Sequence, residues 1–229
     1  MNAPIDYERA RFNMIEQQIR PWDVLDPQVL ELLSLVRRED FVPLAHKALA
    51  FTDMQIPLLQ PTEQALQRGH CMLEPKVEAR ILQDLQVHPH EKVLEVGAGA
   101  GYMAALLGSR AQRVISLELN PELVRMARAN LQRAGLANVE VREADGAKGL
   151  PGEGPFDLIV LSGSVAEVPA PLLTQLKVGG RLSAIVGAEP VMRATFITRT
   201  GETHYTTQQP WDTVAPRLAH FPEPSRFHF

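Results

Sequence analysis

A run of closely spaced glycines carries the clearest chemical signal in this sequence. Residues 97–101 have the sequence Gly-Ala-Gly-Ala-Gly, follow a short apolar run at 92–96 and precede good helix formers from Met103 onward. This order predicts a strand, a tight turn and a helix. Glycine suits the turn because it adopts positive φ and because a Cβ would keep a ligand away from the backbone. Free N–H groups at the start of the helix can donate to a ligand carboxylate or phosphate.

Two acidic residues follow later apolar runs. Glu118 comes about twenty residues beyond Gly97, the distance at which an acid can accept hydrogen bonds from both hydroxyls of a ribose. Asp145 is followed by Gly146, a pair that could hold an adenine amino group and let the backbone approach the ring, although Asp-Gly by itself is typical of an ordinary turn. Ligands of doubly wound sheets bind outside the carboxyl ends of the strands, so we expect these groups to form one site.

The glycine spacing distinguishes between two cofactors. A dinucleotide fingerprint, G-x-G-x-x-G, would place its third small residue at Tyr102, whereas the third glycine here is Gly101. The G-x-G-x-G form, preceded by Glu95, resembles the first motif of the class I S-adenosylmethionine (SAM) methyltransferases. The resemblance implies SAM as cofactor, with these candidate binding residues: Glu95, Gly97, Ala98, Gly99, Gly101, Tyr102, Glu118, Leu119, Asp145 and Gly146.

Alternating apolar runs and amphipathic stretches predict the elements that position these residues. The expected fold is α/β: a doubly wound, mostly parallel, Rossmann-like sheet with N-terminal helices and a C-terminal antiparallel hairpin. Strands are predicted at 92–96, 114–119, 139–142, 156–162 and 181–187, and the hairpin at 191–209. Helices are predicted at 6–20, 27–36, 75–87, 102–108, 121–135 and 169–177, with a turn at 179–180.

The predicted organisation has three parts. Residues 1–75 form an N-terminal helical extension with a substrate loop, residues 76–210 the SAM-binding domain, and residues 211–229 a C-terminal tail. In the first helix Phe12, Ile15 and Ile19 share an apolar face, and Pro21 is expected to stop the helix. The loop at 52–69 is a candidate lid or linker. Arg37 and Arg38 are expected to face solvent or to pair with neighbouring acids.

Several segments together resemble one methyltransferase family. They are residues 93–101, 118–123, 145–146, 156–159 and 176–182, and above all residues 36–43, Val-Arg-Arg-Glu-Asp-Phe-Val-Pro. Over residues 10–188 the chain is similar to the protein-L-isoaspartate O-methyltransferase family. The cofactor motifs recur across class I methyltransferases, whereas the Arg-Glu-x-Phe-Val-Pro pattern is more specific. The resemblance implies protein repair, in which a methyl group passes from SAM to the isoaspartyl carboxylate of a damaged protein or peptide.

The chain departs from that family at the acceptor side of the site. Where the family has Thr-Ile-Ser-x-Pro, with hydroxyls at the reacting carboxylate, this chain has residues 71–75, with Cys71 at the threonine position and Leu73 at the serine position. Ser162 and Ser164 stand where the family usually carries a Thr-Ala-Ala-Ala type run. Cys71, Leu73, Ser162 and Ser164 are the candidate catalytic residues, in the sense that they position the acceptor.

Methyl transfer from a sulfonium is an in-line displacement, and a carboxylate acceptor is already ionised at neutral pH. The protein must hold the acceptor oxygen about 3 to 3.5 Å from the methyl carbon and keep water out. No strong general base is required. His70 could act as a base for a less acidic acceptor, or it could simply face water in its loop.

The lost hydroxyls leave two alternatives open besides isoaspartyl methylation. The chain could methylate a different small-molecule or protein acceptor, or it could be a SAM-binding module that transfers nothing. An NAD oxidoreductase is a more distant possibility.

Bulk composition restricts partners and location. The net charge of −4 and pI near 6.0 provide no basic surface for nucleic acid. Cys71 is the one cysteine, and no apolar run has the length of a bilayer span, so we expect a cytoplasmic protein without a membrane partner. His88 and His90 show no third ligand in the sequence, so no metal is expected. Oligomeric state stays open.

Overall fold

The described part of the chain begins with three consecutive helical segments of different types. The computed structural model describes residues 6–223, so the ends of the predicted N-terminal extension and tail lie outside the described residues. Helix α1 (Tyr7–Met14) is capped by Asp6, continues as a π-helix over Ile15–Ile19 and ends in a 3₁₀ turn over Arg20–Trp22. The α- and π-helical part thus ends at Ile19, next to the predicted stop at Pro21, and a single 3₁₀ turn contains the proline.

The apolar face of this first helix differs from the prediction. Ile15 and Ile19 are buried as expected, together with Met14, but Phe12 is 62% exposed. The π-helical stretch makes a wider turn than an α-helix, so a spacing of 3.6 residues does not describe the face across it.

A second helix, a short strand pair and two further helices follow. Helix α2 (Pro27–Leu35) is capped by Asp26. Strands β1 (Ile56–Pro57) and β2 (Cys71–Met72) pair antiparallel and enclose helix α3 (Thr62–Gln67), so the predicted lid or linker carries regular structure. Helix α4 (Pro75–Leu85) follows and buries one face against the core.

Seven strands then form the central sheet. They are β3 (Lys92–Val96), β4 (Arg113–Glu118), β5 (Val139–Glu143), β6 (Phe156–Val165), β7 (Leu176–Ala188), β8 (Val191–Arg199) and β9 (Tyr205–Thr213), in the order β5-β4-β3-β6-β7-β8-β9. The first five strands in this order run parallel, and β8 and β9 complete an antiparallel hairpin. Helices α5 (Tyr102–Gly108), α6 (Pro121–Arg133) and α7 (Ala170–Leu173) lie between strands. The predicted fold class is confirmed.

The predicted helix at 169–177 was wrong in its second half. Helix α7 ends at Leu173, and Leu176 already pairs with Phe156 in the sheet. The next pair in the ladder is Leu158 with Arg181, so the predicted turn at 179–180 is a bulge within β7. Burial of Leu176 against the sheet outweighs the local helical preference of this stretch.

The chain after β9 returns across the sheet. We call residues 214–221 the C-terminal strap. Ser164 of β6 donates from its N–H to Pro216 O (2.7 Å), and Leu218 N–H donates to Ser164 O (2.9 Å). Ala215 and Phe221 are buried, so the strap is held by apolar packing as well as by backbone bonds. It lies over the carboxyl ends of β3 and β6, where the site is expected.

Within residues 6–223, none of the helices combines the length and the apolar character that crossing a lipid bilayer would demand.

Candidate active site

The glycine turn after β3 has the backbone that its sequence predicts. Gly97, Gly99 and Gly101 have φ values of +94°, +54° and +85°, which L side chains rarely adopt. The N–H groups of Gly97 and Ala98 donate to the carbonyl of Leu117 on β4 (2.8 and 3.2 Å), which fixes the turn against the neighbouring strand. The turn therefore presents its backbone without side chains that could block a ligand.

Glu118 faces this turn from the end of β4. Its Oε2 accepts from Gly99 N–H (2.9 Å) and its Oε1 accepts from Asn120 N–H (3.0 Å), with only 9% of the residue exposed. Each carboxylate oxygen has further acceptor capacity. Glu118 is thus preoriented to accept hydrogen bonds from ligand hydroxyls beside the glycine turn.

A cleft of about 670 Å³ opens in front of these groups. Gly97, Gly99, Glu118 and Leu119 line it, together with Gly146 from the chain after β5. At Gly146 a Cβ would collide with the side chain of Val96, so the close approach requires glycine. The backbone cradle and Glu118 fit an adenosyl group.

A second pocket of about 390 Å³ adjoins the cleft toward the protein interior. The two share Cys71, Gly97, Gly99 and Ser162, so they form one continuous site. Leu73 and Tyr102 also line the inner pocket. The structure thus brings most of the predicted cofactor and acceptor residues together.

Glu95 lies beneath the turn and is fully buried. Ser116 Oγ donates to its Oε2 (2.5 Å) and Ser162 Oγ donates to its Oε1 (2.8 Å). Burial raises the pKa of Glu95 to about 7, and the two hydroxyl donors only partly oppose this. Through this bond Glu95 orients Ser162, a residue that lines both the cleft and the inner pocket.

The acceptor loop is held by an arginine whose role the sequence analysis missed. Arg38 is fully buried, pairs with Glu78, and donates from Nη2 to the carbonyl of Leu73 (2.5 Å). Its predicted solvent exposure was wrong, and the acid it pairs with lies forty residues away instead of beside it. Arg37 is exposed as expected. The only signal for Arg38 was its place in the family-like segment at 36–43.

The side chains of Cys71 and Tyr102 stay uncharged in this pocket. Burial raises the pKa of the Cys71 thiol to about 12, so it stays neutral at pH 7. Burial also raises the pKa of Tyr102, whose ring lies 5.0 Å from the Arg38 guanidinium and edge-on to Phe41. These side chains shape the inner pocket and supply no ionised group.

Asp145 and Ser164 lie at the margin of the site. Asp145 accepts from Ala147 N–H (3.0 Å) and pairs with His220 of the strap (2.8 Å). Burial acts to raise the pKa of Asp145, but these two partners lower it below its ordinary value. Ser164 is fully buried beneath the strap. The roles assigned to both residues stay predictions.

The strap contributes residues that the sequence did not single out. Arg217, Leu218 and Phe221 line the cleft. A Cβ at Gly97 would come within 2.9 Å of Leu218 Cδ2, so the strap packs directly on the glycine turn. His70 also lines this cleft. In the part of the chain that the structure describes, no group of three or more His, Cys, Asp or Glu side chains could hold a metal ion.

The parallel sheet, the glycine turn after β3 and the acid at the end of β4 define a class I SAM-dependent methyltransferase. The sequence profile of the Protein-L-isoaspartate(D-aspartate) O-methyltransferase (PCMT) family matches residues 9–214. The chain therefore belongs to this family.

Individual relatives agree with this assignment. The chain is 40% identical to the protein-L-isoaspartate O-methyltransferase 1 of Syntrophobacter fumaroxidans over 80% of its length and 82% of that protein. It is 36% identical to the protein-L-isoaspartate O-methyltransferase 2 of Pelobacter propionicus over 91% of each chain.

Solved structures share the fold. A proposed Plasmodium falciparum protein-L-isoaspartate O-methyltransferase, in complex with S-adenosyl-L-homocysteine, matches 93% of this chain and 99% of its own with a TM-score of 0.74 and 17% identity. A protein-L-isoaspartate O-methyltransferase matches 93% of this chain and 66% of its own with a TM-score of 0.73 and 22% identity. At these identities the likeness concerns the fold.

Proposed function

We propose that this protein transfers a methyl group from SAM to the carboxylate of an isoaspartyl residue in a damaged protein or peptide. The observation that carries the proposal is family membership over residues 9–214, which includes both the cofactor cradle and the N-terminal segments that border the inner pocket. Isoaspartyl methylation is favoured over other acceptors because the named relatives are isoaspartyl methyltransferases along most of the chain.

Different residues of the cradle suit different parts of SAM. The backbone of residues 97–101 would hold the amino-acid end, Glu118 the ribose, and Gly146 the edge of the adenine. When bound, SAM supplies an electrophilic methyl group. Leu119 and Tyr102 border the space and shape it by packing.

The chain's own residues act by positioning and by excluding water. A carboxylate acceptor is ionised at neutral pH, so no residue of the site has to remove a proton. Ser162 presents a hydroxyl held by Glu95 at the junction of cleft and inner pocket. Cys71 and Leu73 form an apolar wall, and the strap covers the outer side.

The wider setting completes the proposal. The protein works in protein repair in the cytoplasm, where its single cysteine would stay reduced. Residues 1–75 supply the acceptor loop, residues 76–210 bind the cofactor, and residues 211–229 include the strap.

A labelling experiment tests the function. The purified protein is mixed with SAM carrying a radiolabelled methyl group and with two peptides that differ only in carrying isoaspartate or aspartate at one position. We expect base-labile label on the isoaspartyl peptide alone, and less label with a Glu118→Ala variant, whose affinity for the cofactor is expected to be about 10- to 100-fold lower. Binding of S-adenosylhomocysteine without any labelling of the isoaspartyl peptide would refute the proposal.

A further inference from the structure

The acceptor side of this site lacks the usual donors for a carboxylate. Leu73 has an aliphatic side chain, and Cys71 offers a neutral thiol that already contacts Gln55 Oε1 at 3.7 Å. A carboxylate that leaves water without hydrogen-bond donors loses several kcal/mol. An anionic acceptor in this protein therefore needs a donor from another element.

Arg217 of the strap lies where such a donor is needed. It lines the same cleft as Cys71, Gly97 and Ser162. Its backbone is clamped on both sides, because Pro216 O accepts from Ser164 N–H (2.7 Å) and Leu218 N–H donates to Ser164 O (2.9 Å). The arginine is thus fixed to the end of β6, beside Ser162.

The guanidinium is held in place but incompletely paired. Its Nη2 donates to Gly187 O (2.9 Å) and its Nε lies 2.8 Å from Glu223 Oε1. Its Nη1 is buried and has no hydrogen-bond partner among residues 6–223. A buried donor without a partner is destabilising. Because Arg217 lines the cleft, a turn of its side chain toward the cleft would bring this donor to a ligand oxygen.

Ionisable side chains of both signs lie around Arg217, since Glu223 pairs with it. Arg68 and His70 line the same cleft. The segment that carries them packs on the strap, since a Cβ at Gly69 would come within 2.9 Å of Pro216 Cβ. Glu118 lies on the cofactor wall instead. Two arginines, Arg68 and Arg217, thus line the cleft, and their charges favour an anionic acceptor over a neutral one.

The geometry points to Arg217 as the residue that binds the acceptor carboxylate, in place of the hydroxyls absent at positions 71 and 73. A guanidinium binds a carboxylate through two parallel N–H donors and discriminates it from an uncharged amide. This assignment rests on the proposed function in so far as the carboxylate belongs to isoaspartate.

Direct binding tests the assignment separately from catalysis. Calorimetry in the presence of S-adenosylhomocysteine compares an isoaspartyl peptide with its isoasparaginyl counterpart, in which an amide replaces the free carboxylate. Arg217→Leu is expected to weaken binding of the carboxylate peptide about 10- to 100-fold and to leave the amide peptide unchanged. Arg217→Lys should retain part of the affinity. The matched control is Arg193→Leu, an exposed arginine on β8 that pairs with Asp212.

The outcomes separate the two proposals. If Arg217→Leu binds the carboxylate peptide as the wild type does, or loses S-adenosylhomocysteine to the same degree, the assignment is overturned while isoaspartyl methylation stands. If the wild type neither binds nor methylates the isoaspartyl peptide, the proposed function fails, and succinate then serves as the carboxylate probe. Succinate binding that depends on Arg217 supports its role, and equal or absent binding in both proteins overturns it.

Discussion

Glu118 joins the turn and the cofactor through one carboxylate. It accepts from the N–H groups of Gly99 and Asn120, so the acid that would bind the ribose also braces the loop that would hold the rest of the ligand. Two backbone donors that face one carboxylate keep it oriented before the ligand arrives. At the scale of single residues, Glu118 and the glycine turn are thus in position before the ligand binds.

Removal of this carboxylate is expected to weaken cofactor binding. Glu118→Ala deletes the ribose acceptor and leaves the Gly99 N–H without its partner, so affinity for S-adenosylhomocysteine should fall about 10- to 100-fold. Calorimetric titration measures this affinity. Glu122→Ala, which removes an exposed acid four residues away, should bind as the wild type does. Equal affinity in both variants would show that Glu118 does not contact the ligand.

Glu95 predicts a pH dependence of stability. Its pKa rises from 4.5 to about 7 in the folded protein, so the folded state binds more protons than the unfolded chain between these values. The free energy of unfolding therefore falls as pH rises through this window, by at most about 1.4 kcal/mol for each pH unit. Glu95→Gln should flatten the decline between pH 5 and 8 in urea titrations, whereas Glu31→Gln on the exposed side of α2 should not.

At the scale of elements, a buried ion pair joins the N-terminal helices to the acceptor loop. Arg38 follows α2, Glu78 lies on α4, and the carbonyl that Arg38 binds belongs to Leu73 between β2 and α4. Its Nε also donates to Ala50 O (3.1 Å). One side chain thus fixes three segments whose ends would otherwise be free to shift at the inner pocket.

We expect Arg38→Ala to destabilise the protein by about 3–5 kcal/mol, because it leaves Glu78 buried without its counter-charge. Chemical denaturation measures the loss, and Arg37→Ala at the exposed neighbour should change stability by no more than about 0.5 kcal/mol. The double variant Arg38→Ala with Glu78→Ala should lose clearly less than the two single losses added together. Additive losses would contradict a direct pair.

At the scale of the whole molecule, the C-terminal elements pack against the N-terminal ones around the cofactor site. The strap returns from β9 across β6 and reaches the glycine turn, while Trp211 of β9 donates to Asp84 of α4 (2.8 Å) and stacks edge-on with Trp22. The last elements therefore pack on the first ones. We expect the strap to slow ligand release, since Leu218 lies on the turn.

A shorter side chain at position 218 tests whether the strap retains the ligand. Leu218→Ala removes the contact with Gly97 and Gly163, so S-adenosylhomocysteine should dissociate about 3- to 10-fold faster, with a smaller change in the association rate. Stopped-flow displacement measures the rate. Val214→Ala at a more exposed position of the strap is the control. An unchanged dissociation rate in Leu218→Ala would mean that the strap does not retain the ligand.

The sequence predicted the glycine turn after β3 and an acid beside it because these signals are local. Gly97, Gly99 and Gly101 need positive φ within a single turn, and Glu118 follows its own apolar run. The parallel order of the strands then brings the ends of β3 and β4 together without further information. One error arose after α7, where burial of Leu176 overrode the local helical preference, and another at Phe12, where the π-helical stretch that follows changed the spacing of the apolar face.

What the sequence determined by itself was the α/β fold, the glycine turn and its acid, because each depends on periodicity or on spacing within about twenty residues. Only the tertiary structure decided that Arg38 is buried against Glu78 and that Arg217 and Leu218 border the cleft. Those contacts join segments far apart in the chain, and a charged side chain carries no local sign of whether a distant partner will bury it.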